Sequence, residues 1–143
     1  MSFTYKYPRP ALTVDAIVFR KKQDWEVLLI QRLNEPFKDM WAFPGGFVEM
    51  NETVEESVER ELEEETALTG IDFKQFHTFS AVDRDPRHRT VSVAFIGIDK
   101  SGAEPSAGDD AKNAKWFKVN NLPVLAFDHK EIIEKVIREE WII

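Results

Sequence analysis

The chain has no cysteine, no long apolar run and no excess of positive charge. Without cysteine there is neither a disulfide framework nor thiol chemistry. No apolar stretch approaches the roughly 20 residues of a membrane span, and the N-terminal stretch MSFTYKYPRP lacks a signal-peptide core. A formal net charge of −7 argues against non-specific binding to nucleic-acid backbones. We therefore expect a cytoplasmic protein with neither membrane nor nucleic-acid partners.

The 143 residues, of which 43% are hydrophobic and 31% charged, fit one globular domain over 1–143 with a real core. Hydrophobic patterning predicts strands and helices separated by polar turns. The predicted strands are 12–19, 27–30, 73–82, 90–98 and 114–119, and 41–48 is partly extended. The predicted helices are 53–68 and 128–141, and 100–110 is a loop. Strands flanked by two helices indicate an α/β (α+β) sandwich.

The stretch 52–65, ETVEESVERELEEE, is the most informative part of the chain. Thr53 followed by Glu56 makes a capping box, so a helix is expected to begin there. At about 100° per residue, half of the glutamates fall on one side and resemble an ordinary solvated face. These outward residues are Glu55, Glu56, Glu59 and Glu63.

Two further glutamates of this helix, Glu61 and Glu65, fall beside Val54 and Val58 in the apolar stripe. Glu64 lies at the border of that stripe. Carboxylates on the core side of a helix are costly unless their charge is compensated. Because positions three and four apart share a face, these three glutamates can converge on one point. Such an oxygen cluster predicts a divalent metal site, with Mg²⁺ or Mn²⁺ as the ion.

The turn Phe43-Pro44-Gly45-Gly46 precedes this helix. Proline fixes φ, and two glycines allow close approach of a ligand or an ion to bare backbone groups. The Gly45 carbonyl is therefore a further candidate metal ligand, and Gly46 a candidate substrate contact. A glutamate-rich solvated face would explain the outward glutamates, but it explains neither Glu61 and Glu65 nor this turn.

The segment 46–68, GFVEMNETVEESVERELEEETAL, resembles the Nudix box, the signature of Nudix hydrolases. The resemblance implies a Nudix fold, a mixed β-sheet between α-helices, and metal-dependent cleavage of a nucleoside diphosphate linked to another group. It places the catalytic and metal-binding roles on the carboxylates Glu61, Glu64 and Glu65. Glu52 and Arg60 match the box as well, and they are expected to form an orienting ion pair.

One position departs from the box, because Ala67 stands where the family usually has glycine. That position serves helix termination, and we expect Gly70 to take the role three residues later. The resemblance also implies a general base, which is either a glutamate of the box or an acidic residue of a later loop. Asp109 and Asp110 are the loop candidates, and the sequence leaves the choice open.

The basic segment 83–93, DRDPRHRTVSV, is the best clue to the substrate. Arg84 and Arg87 offer planar guanidinium groups for phosphate or ribose oxygens, and Arg32 follows the strand 27–30 at a place suited to phosphate contact. Each of these arginines has a plain alternative as a solvated surface residue. If the alternative holds, the arginines make no substrate contact.

The segments 84–95, 8–15, 107–111 and 125–129 together resemble the ADP-ribose pyrophosphatase branch. They also resemble Nudix-derived transcription regulators of NAD metabolism, which carry an added DNA-binding domain. We expect no such domain here, because the sequence ends at residue 143. The leading hypothesis is Mg²⁺-dependent hydrolysis of ADP-ribose to AMP and ribose 5-phosphate. The alternatives are a MutT-like nucleoside triphosphate pyrophosphohydrolase and a non-catalytic regulator that senses ADP-ribose.

Two expectations concern recognition and assembly. An aromatic side chain can stack on the adenine base. The candidates are Tyr7, Trp41, Phe43 and Phe79. The resemblance also implies a possible homodimer in which N-terminal segments, here residues 5–8, are exchanged.

Overall fold

This computed structural model describes residues 2–108 and 110–142. These residues contain seven strands and two helices. The strands are β1 (Ala11–Lys21), β2 (Trp25–Arg32), β3 (Trp41–Ala42), β4 (Gly45–Phe47), β5 (Lys74–Phe79), β6 (Thr90–Ile98) and β7 (Ala111–Lys118). The helices are α1 (Val54–Thr66) and α2 (His129–Arg138). Neither helix has the length and apolar character needed to cross a membrane. The predicted elements are confirmed, with ends that shift by a few residues.

The strands form one mixed sheet around β1. Residues 11–19 of β1 pair in parallel with the whole of β6, and β1 also pairs antiparallel with two other strands. It pairs with β2 only near its end, at residues 19–21, and with β4 near its beginning, at residues 13–15. β1 and β2 therefore diverge, and the turn between β3 and β4 lies in the gap between them. This gap positions the candidate site.

The two faces of the sheet carry separate apolar clusters, because successive side chains of a strand point to opposite sides. One face packs against α1 through Val58 and Leu62. The other face packs against α2 through Ile132, Ile133 and Val136. The expected mixed sheet between helices is confirmed.

Helix α1 begins as the sequence predicts and ends earlier. The Thr53 hydroxyl accepts a hydrogen bond from the Glu56 amide, and the Glu56 carboxylate accepts one from the Thr53 amide. The expected helix end at Gly70 is wrong, since Ala67 itself adopts the left-handed conformation with φ 65°. Its amide donates to the Glu63 carbonyl, which closes the helix there.

Helix α2 is shorter than predicted. Ile132, Ile133 and Val136 are buried as expected. Ile137 and Trp141, predicted to belong to the same stripe, are 43% and 39% exposed. The helix stops at Arg138, so Trp141 leaves the helical phase on which the prediction depended.

Candidate active site

A cavity of about 480 Å³ opens where β1 and β2 diverge. Its wall combines the Gly45–Gly46 turn, the inward side of α1, the basic segment after β5 and the residues that lead into α2. Ten of the residues singled out in the sequence line it: Arg32, Phe43, Gly45, Gly46, Arg60, Glu61, Glu65, Arg84, Arg87 and Asp110. Glu52 and Glu64 are not among its lining residues. The cavity therefore joins the glutamate-rich helix to the basic segment.

Glu61 and Glu65 are brought together as the helical phase predicts. Glu65 is only 7% exposed, and its Oε1 accepts a hydrogen bond of 3.1 Å from the Gly45 amide. Burial raises the pKa of Glu65 well above its usual value, and a hydrogen bond with Glu61 raises it further. Burial also raises the pKa of Glu61. Raised pKa values on two neighbouring carboxyl groups favour a protonated form of the pair.

The glycines of the turn leave no room for side chains. A Cβ atom on Gly46 would lie 2.5 Å from Oε1 of Glu61, and one on Gly45 would lie 2.2 Å from the Val14 carbonyl oxygen. Glycine at both positions therefore lets the turn approach the Glu61 carboxylate and strand β1 closely.

Arg60 gathers the remaining acidic groups of the box. Its Nη2 lies 2.6 Å from Glu52 Oε1, and its Nη1 lies 3.0 Å from Glu61 Oε1. The hydrogen bond from Arg60 lowers the pKa of Glu52 to about 2. The expected Glu52–Arg60 ion pair is thus present in the structure.

The structure does not bring Glu64 to the other two glutamates. Its exposed carboxylate lies 3.1 Å from Nη1 of Arg60, which attracts it away from the cavity. No three His, Asp or Glu side chains among the described residues lie close enough to hold a metal ion. The donor set nevertheless fits a hard divalent cation, because the buried Glu65 carboxylate lies beside Glu61 and forms no ion pair within the described part of the chain.

The three candidate arginines differ in their partners. Arg84 forms a bidentate ion pair with Asp128, in which Nε donates to Oδ2 at 2.9 Å and Nη2 donates to Oδ1 at 2.7 Å. The Arg84 side chain is 4% exposed. Arg87 pairs with Asp85 at 2.8 Å. Arg32 donates from Nε to the Pro36 carbonyl and has no carboxylate within ion-pair distance in the described part of the chain.

Arg32 and Arg87 lie over the same aromatic ring. Their guanidinium carbons are 5.0 Å and 5.7 Å from the centre of the Phe127 ring. Burial lowers the pKa of Arg32, and the positive charge of Arg87 lowers it further. Two neighbouring cations on a cavity wall favour a ligand with more than one negative charge.

Of the two loop candidates for a general base, the structure describes Asp110 but not Asp109. Asp110 lines the cavity, and its charge contributes to the raised pKa of Glu65. The preceding loop rests on the end of α1, since the Ser106 amide donates to the Thr66 carbonyl and the Gly108 amide to the Glu65 carbonyl. Asp109 lies outside the described residues.

The expected base-stacking residues mostly lie elsewhere. Phe43 lines the cavity, but it is buried and its ring stacks on that of His129 at 4.7 Å. Trp41, Phe79 and Tyr7 are absent from the cavity lining. Trp41 packs against Phe117 instead.

Asp15, Phe127 and His129 are among the cavity residues to which the sequence analysis assigned no role. Asp15 had a detectable signal, because it is an acid within the apolar strand sequence LTVDAIVF. Phe127 has a positive φ of 53°, which patterning does not reveal. His129 contacts the cavity only because the sheet brings α2 to β1.

Comparisons with known proteins agree with this arrangement. A model of the NUDIX domain matches residues 9–139. The chain is 50% identical to an ADP-ribose pyrophosphatase of Methanocaldococcus jannaschii over 132 residues, which cover 92% of this chain and 76% of that protein. It is 31% identical to the ADPR responsive transcriptional repressor NtrR of Acinetobacter baylyi over 90% of this chain and 54% of the repressor, so it spans about half of the repressor's length.

A solved structure shares the fold. The NUDIX domain of Shewanella oneidensis NrtR, complexed with ADP ribose, superposes with a TM-score of 0.87. Its sequence is 33% identical, and the match covers 95% of this chain and 91% of that chain. Because the family model spans most of the chain and the fold agrees, the chain belongs to the NUDIX domain family of hydrolases.

Proposed function

We propose that this protein hydrolyses ADP-ribose to AMP and ribose 5-phosphate with Mg²⁺ or Mn²⁺. The observation that carries the proposal is one cavity in which a buried carboxylate pair, Glu61 and Glu65, faces a cation pair, Arg32 and Arg87. The identity of half of the aligned residues with an ADP-ribose pyrophosphatase supports this substrate.

The carboxylates are the groups that would hold the metal. Nudix hydrolases generally use a divalent metal, and we assign it to Glu61, Glu64, Glu65 and the Gly45 carbonyl. When bound, a divalent cation neutralises the charge of a diphosphate and lowers the pKa of its water. Glu64 would join this set if its carboxylate left Arg60, which its exposed position permits.

The arginines act on the diphosphate. Arg32 and Arg87 bind its oxygens and hold it across the Phe127 ring, because a guanidinium fork suits phosphate geometry. Arg60, fixed by Glu52, orients Glu61 through a hydrogen bond of 3.0 Å. Gly46 lets the substrate approach the backbone of the turn.

A carboxylate in the cavity accepts the proton of the attacking water. Glu61, Glu65 and Asp110 all reach the cavity, and each could serve as this base. A general base contributes roughly 10²- to 10⁴-fold in rate. The variant Asp110→Asn distinguishes Asp110 from the two glutamates as the general base. A fall in kcat within that range would assign the proton transfer to Asp110.

An ADP-ribose sensor without turnover is the second candidate. It is supported by the similarity to an ADPR responsive repressor and to a NUDIX domain that binds ADP ribose. We favour the enzyme, because the carboxylates of the box are all present in the sequence. The exchanged homodimer and the cytoplasmic location stay predictions.

A substrate panel tests the proposal. The values of kcat/KM are measured with Mg²⁺ for ADP-ribose, NAD⁺, ADP-glucose, ATP and dGTP. ADP-ribose should be the best substrate, with AMP as a product. A triphosphate as the best substrate, releasing pyrophosphate, would establish the MutT-like activity instead. Tight binding of ADP-ribose without cleavage would establish the sensor.

A further inference from the structure

Asp15 of β1 and His129 of α2 face each other on the wall of the cavity. They are 7% and 3% exposed. His129 Nε2 and Asp15 Oδ1 are 3.6 Å apart. This distance is too long for a hydrogen bond, although both atoms belong to buried polar groups.

The other polar atoms of both side chains already have partners. The Ser92 hydroxyl donates to Asp15 Oδ2 at 2.6 Å, and the Phe43 amide donates to His129 Nδ1 at 3.2 Å. Because Nδ1 accepts a hydrogen bond, it carries no proton, and the proton of the neutral ring is on Nε2. Burial lowers the pKa of His129, which keeps the ring neutral.

One donor and one acceptor therefore remain side by side. In the described part of the chain, neither the Nε2–H of His129 nor Oδ1 of Asp15 has a hydrogen-bond partner. Both residues line the cavity, so a bound group that the chain itself does not supply can reach this donor and this acceptor.

We propose that this pair binds a ribose hydroxyl of the substrate, which accepts from His129 Nε2–H and donates to Asp15 Oδ1. A hydroxyl both donates and accepts, as this site requires. A phosphate oxygen cannot donate to Asp15, and an ammonium group cannot accept from His129. The inference rests on the proposed function and identifies the ribose as the part of the substrate that this pair recognises.

The position of the pair suits a hydroxyl next to the diphosphate. The His129 ring lies 5.6 Å from the Phe127 ring, and the Arg32 guanidinium lies 5.0 Å from the same ring. A diphosphate held by Arg32 thus places an attached ribose near His129 and Asp15.

The variants Asp15→Ala and His129→Asn test the pair. The first removes the acceptor. The second removes the donor but keeps a side-chain oxygen near the position of Nδ1, for the Phe43 amide. Asp99→Ala is a matched control, because Asp99 is 6% exposed, accepts a hydrogen bond from the Ser101 hydroxyl and lies outside the cavity. Melting temperatures identify any variant that fails to fold.

The measurement is kcat/KM for ADP-ribose and for its two 2-deoxy analogues, one altered in the adenosine ribose and one in the terminal ribose. Wild type and Asp99→Ala should prefer ADP-ribose over one analogue by roughly 10- to 100-fold, as expected for a hydrogen bond to a charged group. In Asp15→Ala and His129→Asn that preference should fall to within about threefold, because the variants lose only the hydroxyl-bearing substrate.

An unchanged preference in both variants would overturn the inference and would mean that the pair holds only a structural water. That result leaves the proposed function intact, since all proteins would still cleave ADP-ribose. If wild type does not cleave ADP-ribose, the proposed function fails. Wild type and the same variants are then compared on ATP and dATP. A preference for ATP in wild type that falls in both variants supports the pair, and a preference that is unchanged in the variants overturns it.

Discussion

The carboxyl groups of Glu61 and Glu65 lie one helical turn apart on α1, and both residues line the wall of the cavity. Both groups lie away from water, and the pKa of each is raised by burial. Arg60 lies 3.0 Å from Glu61, but no basic side chain of the described residues forms an ion pair with Glu65. Glu65 therefore needs a further cation to carry a full charge. This relationship links the helical phase of the sequence to the proposed metal site.

Inward and outward glutamates should respond differently to substitution. Glu61→Gln and Glu65→Gln should each lower kcat by at least ~100-fold, since an electrostatic group in an active site contributes about 3 kcal/mol. Glu59→Gln and Glu63→Gln, on the exposed face of α1, should stay within about threefold of wild type. Steady-state kinetics with ADP-ribose checks this, and equal losses in both pairs would contradict the assignment.

The raised pKa of Glu65, which retains a proton in the folded protein, predicts a pH dependence of stability in metal-free buffer. Above the usual glutamate pKa of 4.5, the unfolded chain has released this proton, whereas folded Glu65 keeps it up to its raised pKa. The folded state then binds more protons, so the free energy of unfolding falls as pH rises from 4.5 towards the raised pKa. One such proton gives a slope of at most about 1.4 kcal/mol per pH unit.

Urea unfolding between about pH 5 and pH 8 measures this slope. Glu65→Gln should flatten it, because the substituted group does not titrate, and it should be at least as stable as wild type at the upper pH. The low pKa of Glu52 does not interfere, since its stabilising effect is lost only at more acidic pH. Identical slopes in the two proteins would show that Glu65 holds no extra proton.

Arg84 and Arg87 should have separate roles, although the sequence suggests the same role for both. Arg84→Ala leaves Asp128 without its buried partner and should cost about 3 kcal/mol of unfolding free energy. Arg87→Ala should cost less, because Arg87 is itself 37% exposed and Asp85 keeps the hydrogen bond from the backbone amide of residue 87. It should, however, raise KM for ADP-ribose roughly tenfold or more, because it removes a contact to the diphosphate. Urea unfolding and initial-rate kinetics on both variants separate these effects.

The ends of α1 and the following loop give a paired test of backbone strain. Ala67 has φ 65° and Gly70 has φ 75°. A left-handed conformation costs a residue with a side chain about 1–2 kcal/mol more than glycine. Ala67→Gly should therefore stabilise the protein by about 1 kcal/mol, and Gly70→Ala should destabilise it by a similar amount. A Cβ on Gly70 meets nothing within 4 Å, so no clash confuses the measurement. Loss of stability in Ala67→Gly would contradict this account of the helix end.

Local features were predictable where their cause is local. The capping box depends on residues three apart, and the inward direction of Glu65 depends only on the helical phase. Strand β6 matches its predicted range because its apolar residues are continuous. The helix end was wrong, because an alanine in the left-handed region is uncommon and sequence patterns favour glycine there.

Contacts across the chain were not predictable. The partner of Arg84 is Asp128, which is 44 residues away, and only the fold brings these residues together. The same holds for Asp15 and His129, whose approach depends on the position of α2 over β1. Glu64 turns towards Arg60 because a solvated carboxylate follows the nearest cation, which the helical phase does not specify.

Quantitative product analysis with and without metal tests the central claim most directly. The purified protein is incubated with ADP-ribose and Mg²⁺, and a parallel sample contains excess chelator. We expect equimolar AMP and ribose 5-phosphate with Mg²⁺, no turnover with chelator, and recovery when Mg²⁺ or Mn²⁺ is restored in excess. Absence of cleavage under all conditions, or turnover that chelator does not reduce, would contradict a metal-dependent ADP-ribose hydrolase.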